Sequence, residues 1–443
     1  MTATDAQVLA ILQELLDPAV PGIKCGRARL PSPVADLLPP SARRKPPEFG
    51  VGCVAARKVQ PGMRVHTARH AVNTALNEVE FRLQRPVVRS MPQNVDIVLT
   101  KACNLACTFC VDYETPGAKR ISLENFEKVA RQLFPTARLV SMCSGGEPYL
   151  HKGLEDLLRI ARRYQLETWV LSNGMLLKED RVRTIVREGL ITLHGFSVDG
   201  FEAPTVEAIR VGANLPTILE NIRMLLRIRD EEGKSEPRII MRYALMRSNL
   251  DELPAAVHRW GEMGIDRIDC NYVVICNGID HQESLYFHQD RMQRVFVEAR
   301  TIAARYPRLA LRLPATVREE EANKTRPKKC KYPWSFVKID TDGRVLPCYR
   351  AWEALSMGKV YDQDGRPFSE LWNSEPYQAL RGTVNDDSVE KFFPYCSRCD
   401  YRYGWGELRQ HLGYEEWAQA VGLTPEHVDH RRDPRASAPT LRK

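Results

Sequence analysis

Two kinds of hydrophobic pattern alternate along the middle of the chain. Short β-rich runs such as NVDIVLT and ETWVLSN are each followed by a segment whose apolar residues recur every three or four positions, such as SLENFEKVARQLF. In that segment Phe126, Val129, Ala130 and Leu133 share one face of a predicted helix that Ser122 caps. Six such strand–helix units succeed one another, which predicts a parallel sheet with helices outside it.

Six units are too few for an ordinary eight-fold barrel. They are typical of a partial (β/α)6 barrel of the TIM type, so we predict an α/β fold whose site lies at the C-terminal ends of the strands. After Pro314 the pattern changes, and FVKIDTDGRVLPC predicts a β-hairpin around Asp342 and Gly343. Before residue 93, DAQVLAILQELL and HAVNTALNEVEFRL have helical spacing on either side of a proline-rich stretch.

These changes of pattern predict four parts of the chain. They are an N-terminal segment of unassigned role (1–92), the partial barrel (93–314), a small cysteine-rich domain (315–410) and a C-terminal helix with a basic tail (411–443).

Composition narrows the class of protein. The 443 residues are 43% hydrophobic and 27% charged, and no window approaches 18 consecutive apolar residues, so we expect a soluble protein without a membrane span. The N-terminus has no secretory signal pattern, which favours the cytoplasm, where clustered cysteines indicate metal binding or catalysis. The net charge of +8 favours solubility over nucleic-acid binding, and leaves an acidic or phosphorylated substrate open.

Three of the twelve cysteines lie within KACNLACTFC, directly after the first barrel strand. Cys103, Cys107 and Cys110 have the spacing C-x3-C-x2-C, which lets one loop bind three corners of an iron–sulfur cubane. The fourth iron then has an open coordination position for a substrate or cofactor. A catalytic zinc keeps one free position in the same way. The alternative is a structural zinc or an electron-transfer cluster completed by a distant cysteine.

The loop resembles that of the radical S-adenosylmethionine superfamily, including the aromatic Phe109 just before the third cysteine, which we assign to the cofactor site. The resemblance implies that S-adenosylmethionine chelates the open iron of a 4Fe–4S cluster. It also implies that one electron cleaves the cofactor to a 5′-deoxyadenosyl radical, which abstracts hydrogen from an unactivated carbon. A flavodoxin- or ferredoxin-type protein would supply the electron.

Four polar motifs follow later strands in the order that this superfamily uses. SGGEP, LSNG and FSVDG end the second, third and fourth strands, and IRVG comes next. The resemblance assigns cofactor contacts to these motifs, at Gly145, Gly146, Glu147, Ser172, Asn173, Ser197, Asp199 and Arg210. Alone, each motif would be an ordinary turn, but together they place polar groups where a barrel site belongs.

A second set of cysteines lies in the C-terminal part: Cys330, Cys348, Cys396 and Cys399. Four thiolates suit a closed 4Fe–4S cluster or a four-cysteine zinc. The spacing resembles the SPASM/Twitch extension of radical S-adenosylmethionine enzymes, but Trp405 stands where the full SPASM form has a further cysteine. We therefore predict the shortened, Twitch-like form with one auxiliary cluster.

Two other cysteines are candidate hydrogen donors to a substrate radical. Cys143 adjoins the SGGEP motif, and Cys276 follows the sixth strand; the alternative for each is a buried apolar role. In DRIDCNYVV, strand alternation predicts that Arg267, Asp269 and Asn271 face the barrel lumen and that Cys270 faces the helices.

From these residues we expect a radical S-adenosylmethionine enzyme of the oxidoreductase or isomerase type. Its expected substrate is a small metabolite, such as a sugar, an aminocyclitol or a natural-product intermediate, which it would dehydrogenate, epimerise or rearrange. One alternative is a maturase of a ribosomally made peptide, ranked lower because residues 1–92 show no peptide-clamp pattern. Another is a non-enzymatic iron–sulfur or zinc protein that binds nucleic acid.

Overall fold

The computed structural model describes residues 68–110, 119–275, 279–316, 319, 328–349, 356–361, 367–393, 396–397 and 399–403. The helix predicted in DAQVLAILQELL, the candidate donor Cys276, Trp405 and the tail 411–443 lie outside the described residues.

Within the described residues, eleven strands form one nine-stranded sheet and one two-stranded ribbon. In chain order the strands are β1 (Asn94–Ile97), β2 (Ala106–Cys107), β3 (Leu139–Met142), β4 (Glu167–Ser172), β5 (Leu193–Ser197), β6 (Arg210–Val211), β7 (Arg238–Leu245), β8 (Arg267–Tyr272), β9 (Ala310–Arg312), β10 (Phe336–Ile339) and β11 (Val345–Leu346). The sheet has the order β11-β10-β1-β3-β4-β5-β7-β8-β9, and β2 pairs with β6.

The helices connect these strands and cover the outside of the sheet. They are α1 (Ala68–Arg82), α2 (Leu123–Leu133), α3 (Leu154–Arg163), α4 (Glu179–Arg187), α5 (Ala203–Ile209), α6 (Leu215–Glu231), α7 (Leu253–Glu262), α8 (Gln289–Ala303), α9 (Tyr332–Ser335), α10 (Phe368–Trp372), α11 (Glu375–Thr383) and α12 (Asp400–Tyr403). Short 3-10 turns occur at Pro148–Leu150, Leu250–Glu252, His281–Glu283 and Leu285–His288. Among the described helices, none is long and apolar enough to cross a membrane.

The predicted partial barrel is confirmed. Strands β1, β3, β4, β5, β7 and β8 are parallel neighbours, and each is followed by a helix before the next strand of the sheet. The predicted face of α2 is buried as well, and the Ser122 side chain accepts a hydrogen bond from Asn125 N. Burial of each large apolar side chain on such a face contributes roughly 1.5–3 kcal/mol to stability.

The sheet extends beyond six strands on both sides. Strand β9 lies parallel to β8, and β10 lies parallel to β1 with Val95 opposite Val337. The predicted hairpin is present, since β11 runs antiparallel to β10 and Gly343 has a φ of 84° in the turn. The hairpin therefore continues the barrel sheet through the pairing of β10 with β1. All four residues of β10 are buried.

Candidate active site and cluster-binding residues

The three-cysteine loop begins after β1 and is fixed at two further places. Its residues Ala106 and Cys107 form β2, which pairs antiparallel with β6, so that Cys107 lies opposite Arg210. Thr108 N also donates to Ile209 O at 3.0 Å. These bonds hold the loop against the segment that follows α5, an attachment that the sequence did not predict.

The predicted glycines contact this loop directly. Gly146 N donates to Thr100 O at 2.7 Å, and Glu147 N donates to Ala102 O at 2.9 Å. A Cβ on Gly146 would lie 1.9 Å from Ala102 O, and Gly145 has a φ of 87°. We predicted that the glycines let the backbone approach a ligand; in the structure the group that they approach is the main chain leading to Cys103.

Glu147 is buried and joins the ends of two strands. Its carboxylate accepts hydrogen bonds from Tyr149 N at 3.1 Å, Ser172 Oγ at 2.9 Å and Asn173 N at 2.8 Å. Burial raises the pKa of Glu147 to about 6, although these donors oppose the shift. Ser172 Oγ in turn accepts from Gly174 N at 3.0 Å, so Glu147 and Ser172 bond to one another and to the backbone.

Asn173 reaches from the end of β4 to the cysteine loop. Its Nδ2 donates to Asn104 Oδ1 at 2.9 Å and lies 3.9 Å from Cys103 Sγ, while Leu105 N donates to the same sulfur at 3.5 Å. Donors aimed at a sulfur favour the thiolate form that binds iron.

Asp199 and Arg210 form a buried ion pair beside the second cysteine. Asp199 Oδ2 lies 2.7 Å from Arg210 Nε, and Asp199 Oδ1 accepts from Ala244 N at 2.7 Å. Arg210 Nη1 lies 3.7 Å from Cys107 Sγ, and the Arg210 guanidinium lies 5.5 Å from the centre of the Phe109 ring. The structure thus brings these predicted residues together, with Arg210 held by Asp199 rather than free to the lumen.

The chemistry of the loop suits an iron–sulfur cluster. Burial raises the pKa of Cys103 to about 11 and also raises the pKa of Cys107. Bound iron removes such protons because its positive charge stabilises the thiolate. Within the described residues, no three His, Cys, Asp or Glu side chains converge on a point that one metal ion could occupy. A cubane needs no such convergence, because each thiolate binds a different iron.

The four C-terminal cysteines are close neighbours, although they come from three separate segments. Burial raises the pKa of Cys330 to about 12, and the nearby Cys348 and Cys399 raise it further. Burial likewise raises the pKa of Cys396, and Cys348, Cys330 and Cys399 all add to the shift. A bound cluster would relieve this mutual repulsion of thiolates.

Two other predicted positions lie at the strand ends facing the lumen. Ser197 ends β5, partly exposed and opposite Arg242 of β7. Cys143 follows β3, with its sulfur 3.8 Å from Trp169 O, and burial raises its pKa well above that of a free thiol. Cys270 is buried in the core behind the sheet, as strand alternation predicted.

The sequence analysis missed two lumen residues, Asp96 and Trp169. Asp96 is fully buried on β1 and accepts a hydrogen bond from Ser141 Oγ at 2.6 Å, and burial raises its pKa. Strand parity could have located Trp169, because it lies four residues before Asn173 on β4 and therefore shares its face.

Comparison with known proteins gives consistent matches to both parts. The model of the radical SAM superfamily matches residues 97–258, and that of the SPASM iron–sulfur cluster-binding domain matches residues 330–400. PqqA peptide cyclase of Gluconobacter oxydans is 26% identical over 343 residues, covering 76% of this chain and 88% of that protein.

Two further similarities extend this result. The antilisterial bacteriocin subtilosin biosynthesis protein AlbA of Bacillus subtilis is 22% identical over 372 residues, covering 80% of this chain and 74% of that protein. The crystal structure of Streptococcus suis SuiB bound to S-adenosylmethionine has the same fold, with a TM-score of 0.55 at 15% identity, and the match covers 74% of this chain and 76% of that one.

These relatives correct the prediction of a small-metabolite substrate, which is wrong. One relative is named for cyclising a peptide and another for making a bacteriocin, and neither name refers to a sugar or an aminocyclitol. The error has a physical origin: the motifs used in the prediction belong to the cluster and its cofactor, so they carry no information about the substrate.

Proposed function

Because the chain belongs to the radical S-adenosylmethionine superfamily and has a SPASM iron–sulfur domain, we propose that it is a maturase, an enzyme that modifies a ribosomally made peptide. The observation that carries the proposal is the match to PqqA peptide cyclase, which extends over 88% of that protein. This match of 343 residues is much longer than the segment 97–258 that the superfamily model matches, so it extends well beyond the cofactor motifs.

The residues of the first site have separate roles in this proposal. Cys103, Cys107 and Cys110 hold the 4Fe–4S cluster, and when bound the cluster and S-adenosylmethionine together supply the 5′-deoxyadenosyl radical. Gly146 and Glu147 set the position of the loop by donating hydrogen bonds to Thr100 O and Ala102 O, and Gly145 packs closely against Thr100 because it has no side chain.

The remaining polar residues fix and complete the cofactor site. Asn173 and Arg210 direct N–H groups at the sulfurs of Cys103 and Cys107, and Asp199 fixes the Arg210 guanidinium. Ser172 fixes Glu147 by a hydrogen bond to its carboxylate, and Ser197 and Phe109 border the cofactor.

The C-terminal part has the Twitch-like form, with one auxiliary cluster held by the four cysteines at 330, 348, 396 and 399. We retain the four parts of the chain predicted from the sequence, 1–92, 93–314, 315–410 and 411–443.

The enzyme acts in the cytoplasm with a flavodoxin- or ferredoxin-type electron donor, and catalyses an oxidoreductase-type change of its peptide. In this proposal, either Cys143 or Cys276 returns a hydrogen atom to a substrate radical.

The test uses protein reconstituted with iron and sulfide under anaerobic conditions, reduced with dithionite and supplied with S-adenosylmethionine. The probes are synthetic peptides encoded by short reading frames beside the gene. We expect 5′-deoxyadenosine and a change in the mass of one peptide, in a fixed ratio. The control replaces Cys103, Cys107 and Cys110 by alanine and keeps the C-terminal cysteines, and it should form neither product.

Two results would contradict the proposal. Formation of 5′-deoxyadenosine no faster than in the triple alanine variant would exclude radical chemistry of this class. Turnover of a sugar or an aminocyclitol, with every peptide unchanged, would exclude a peptide substrate.

A further inference from the structure

Three arginine side chains surround one carboxylate on the lumen side of β7, β8 and β9. Arg267 Nε lies 3.1 Å from the Asp269 carboxylate, Arg242 Nη1 lies 3.6 Å from it, and Arg312 Nε lies 3.8 Å from it. One negative charge therefore faces three positive charges, so the group has an uncompensated positive charge.

The excess of positive charge also affects the pKa of Arg267. Burial lowers its pKa, Asp269 opposes the shift, and the positive charges of Arg312 and Arg238 lower the pKa further. A desolvated arginine surrounded by other arginines is stabilised when an anion binds beside it.

Arg242 is the member with unused hydrogen-bonding capacity. Its contact with Asp269 is longer than the 2.7–2.9 Å typical of a charge-assisted hydrogen bond, and among the described residues its guanidinium makes no hydrogen bond. About a third of its side chain, 32%, is exposed. A guanidinium has five N–H donors in a planar fork, which matches a carboxylate in bidentate geometry.

The position of Arg242 puts its N–H donors below the cofactor site. In the sheet register Arg242 lies opposite Ser197, the last residue of β5. Asp199, which holds Arg210 beside Cys107, lies two residues beyond Ser197, or about 7 Å farther along the strand direction. A group bound by Arg242 would therefore lie in the lumen below the cysteine loop.

Trp169 supplies a second donor on the same side. The Arg242 guanidinium lies 5.8 Å from the centre of the Trp169 ring. The indole Nε1 is buried and has no hydrogen-bond partner among the described residues. It lies beside Gly195, where a Cβ would stand 3.3 Å from it, so the indole fits over a position that has no side chain. A buried N–H without a partner is costly, and a bound acceptor would satisfy it.

We infer that Arg242, supported by Arg267, Arg312 and Trp169, binds a carboxylate of the substrate peptide and so selects peptides that present one inside the barrel. The carboxylate belongs to an aspartate or glutamate side chain or to the peptide C-terminus. This inference rests on the proposed peptide function. Asp269 holds the arginines together when the peptide is absent, and competes with the peptide carboxylate for them.

The test measures which peptides the reconstituted enzyme retains in the presence of S-adenosylmethionine. Random twelve-residue peptide pools, one with free C-termini and one with amidated C-termini, are passed over immobilised enzyme, and the bound fraction is sequenced. We expect Asp and Glu, or the free C-terminus, to be enriched roughly tenfold over the input, as for one charge-assisted interaction. Loss of the enrichment on amidation identifies the C-terminal carboxylate; its persistence identifies an acidic side chain.

Three variants separate recognition from general charge. Arg242→Gln should reduce the enrichment to near that of the input. Asp269→Asn should increase it, because the competing carboxylate is gone, whereas a purely structural role of Asp269 would weaken binding of every peptide. Arg183→Gln, on the outer surface of α4, removes one positive charge elsewhere and should leave the enrichment unchanged. Equal iron content and equal 5′-deoxyadenosine formation without peptide would show that each variant is folded.

The outcomes distinguish this inference from the proposed function. Retention of peptides without preference for a carboxylate, or the same preference in Arg242→Gln, overturns the inference and leaves the peptide function standing. Retention of no peptide from either pool contradicts the peptide function itself, and the inference falls with it.

Discussion

At the scale of single residues, His194 shows how the fold fixes the protonation of a buried side chain. Its ring is completely buried, stacks on Phe196 with the ring centres 4.4 Å apart, and shares a hydrogen bond of 2.8 Å with the Tyr149 hydroxyl. Burial lowers the pKa of His194 from its usual 6.5 to about 3. The folded protein therefore holds this histidine neutral, while the unfolded chain takes up a proton below pH 6.5.

His194→Phe should make the protein less sensitive to acid. Stability due to the neutral histidine is complete above pH 6.5 and is lost as the pH falls toward 3, so moving from pH 7 to pH 5 costs the wild type about 2 kcal/mol at this residue. The variant should lack this loss, whatever its stability at pH 7. Anaerobic guanidinium unfolding at both pH values measures the difference, with the exposed His281→Gln as control. An equal loss in wild type and His194→Phe would refute the assignment.

The residues of the site were easier to predict from the sequence than the contacts between them. Strand-ending motifs located Glu147, Ser172 and Asn173, but not the hydrogen bonds between them, because those depend on how β3 and β4 align. The close approach of Gly146 to Ala102, 44 positions earlier in the chain, was not predicted either. Contacts between distant segments have no local signal in the sequence.

At the scale of elements, the β2–β6 ribbon links the cysteine loop to the barrel. The ribbon has only two residues in each strand, so it cannot be stable alone. The buried pair of Asp199 and Arg210 fixes β6 relative to the end of β5, and Arg210 also contacts Cys107. The ion pair is therefore one of several contacts that position the loop, together with the hydrogen bonds from Gly146 and Glu147.

Asp199→Asn should weaken the protein and loosen the first cluster. Removing one partner of a buried ion pair leaves the other charge uncompensated and costs about 3–5 kcal/mol. We expect lower stability to guanidinium and at least tenfold slower S-adenosylmethionine cleavage, as a rough estimate for a displaced ligand loop. Arg227→Gln, in an exposed pair with Glu231, is the control and should change neither. Wild-type cleavage rates in Asp199→Asn would show that the pair does not position the loop.

Long helices and strands were easier to predict from the sequence than short ones. The helices with a clear apolar face, such as α2 and α3, were located because each has several turns of periodic sequence. The two-residue strands β2 and β6 have no period to detect. The hairpin β10–β11 was predicted from its turn, whereas its pairing with β1 was not, since both faces of a buried strand look alike in sequence.

At the scale of the whole molecule, the two groups of cysteines connect to the same sheet at different strands. Cys103, Cys107 and Cys110 follow β1, and Cys348 follows β11, the partner of β10. Because β11 runs antiparallel to β10, the chain leaves β11 toward the start of β1, whereas the three-cysteine loop follows the end of β1. The series of parallel barrel strands was predictable from the chain, but the class of substrate was not, because the recognised motifs surround the cluster and its cofactor.

Cys399→Ser should remove the auxiliary cluster and spare the first one. Because its four ligands form a separate group, the iron content should fall from about eight to about four per chain. Formation of 5′-deoxyadenosine without peptide should continue, while modification of the peptide should stop. Cys143→Ala, which changes a thiol outside both groups, should keep the full iron content. Loss of all iron from Cys399→Ser would show that the two groups do not load independently.

The pairing of β10 with β1 has a consequence for how the chain can tolerate insertions. The two strands are adjacent in space although Ile97 and Phe336 are separated by most of the barrel in sequence. Main-chain hydrogen bonds between β1 and β10 therefore hold the hairpin against the barrel, whatever the length of the chain between them. A loop in the intervening chain can be lengthened, shortened or exchanged during evolution without moving the hairpin away from β1.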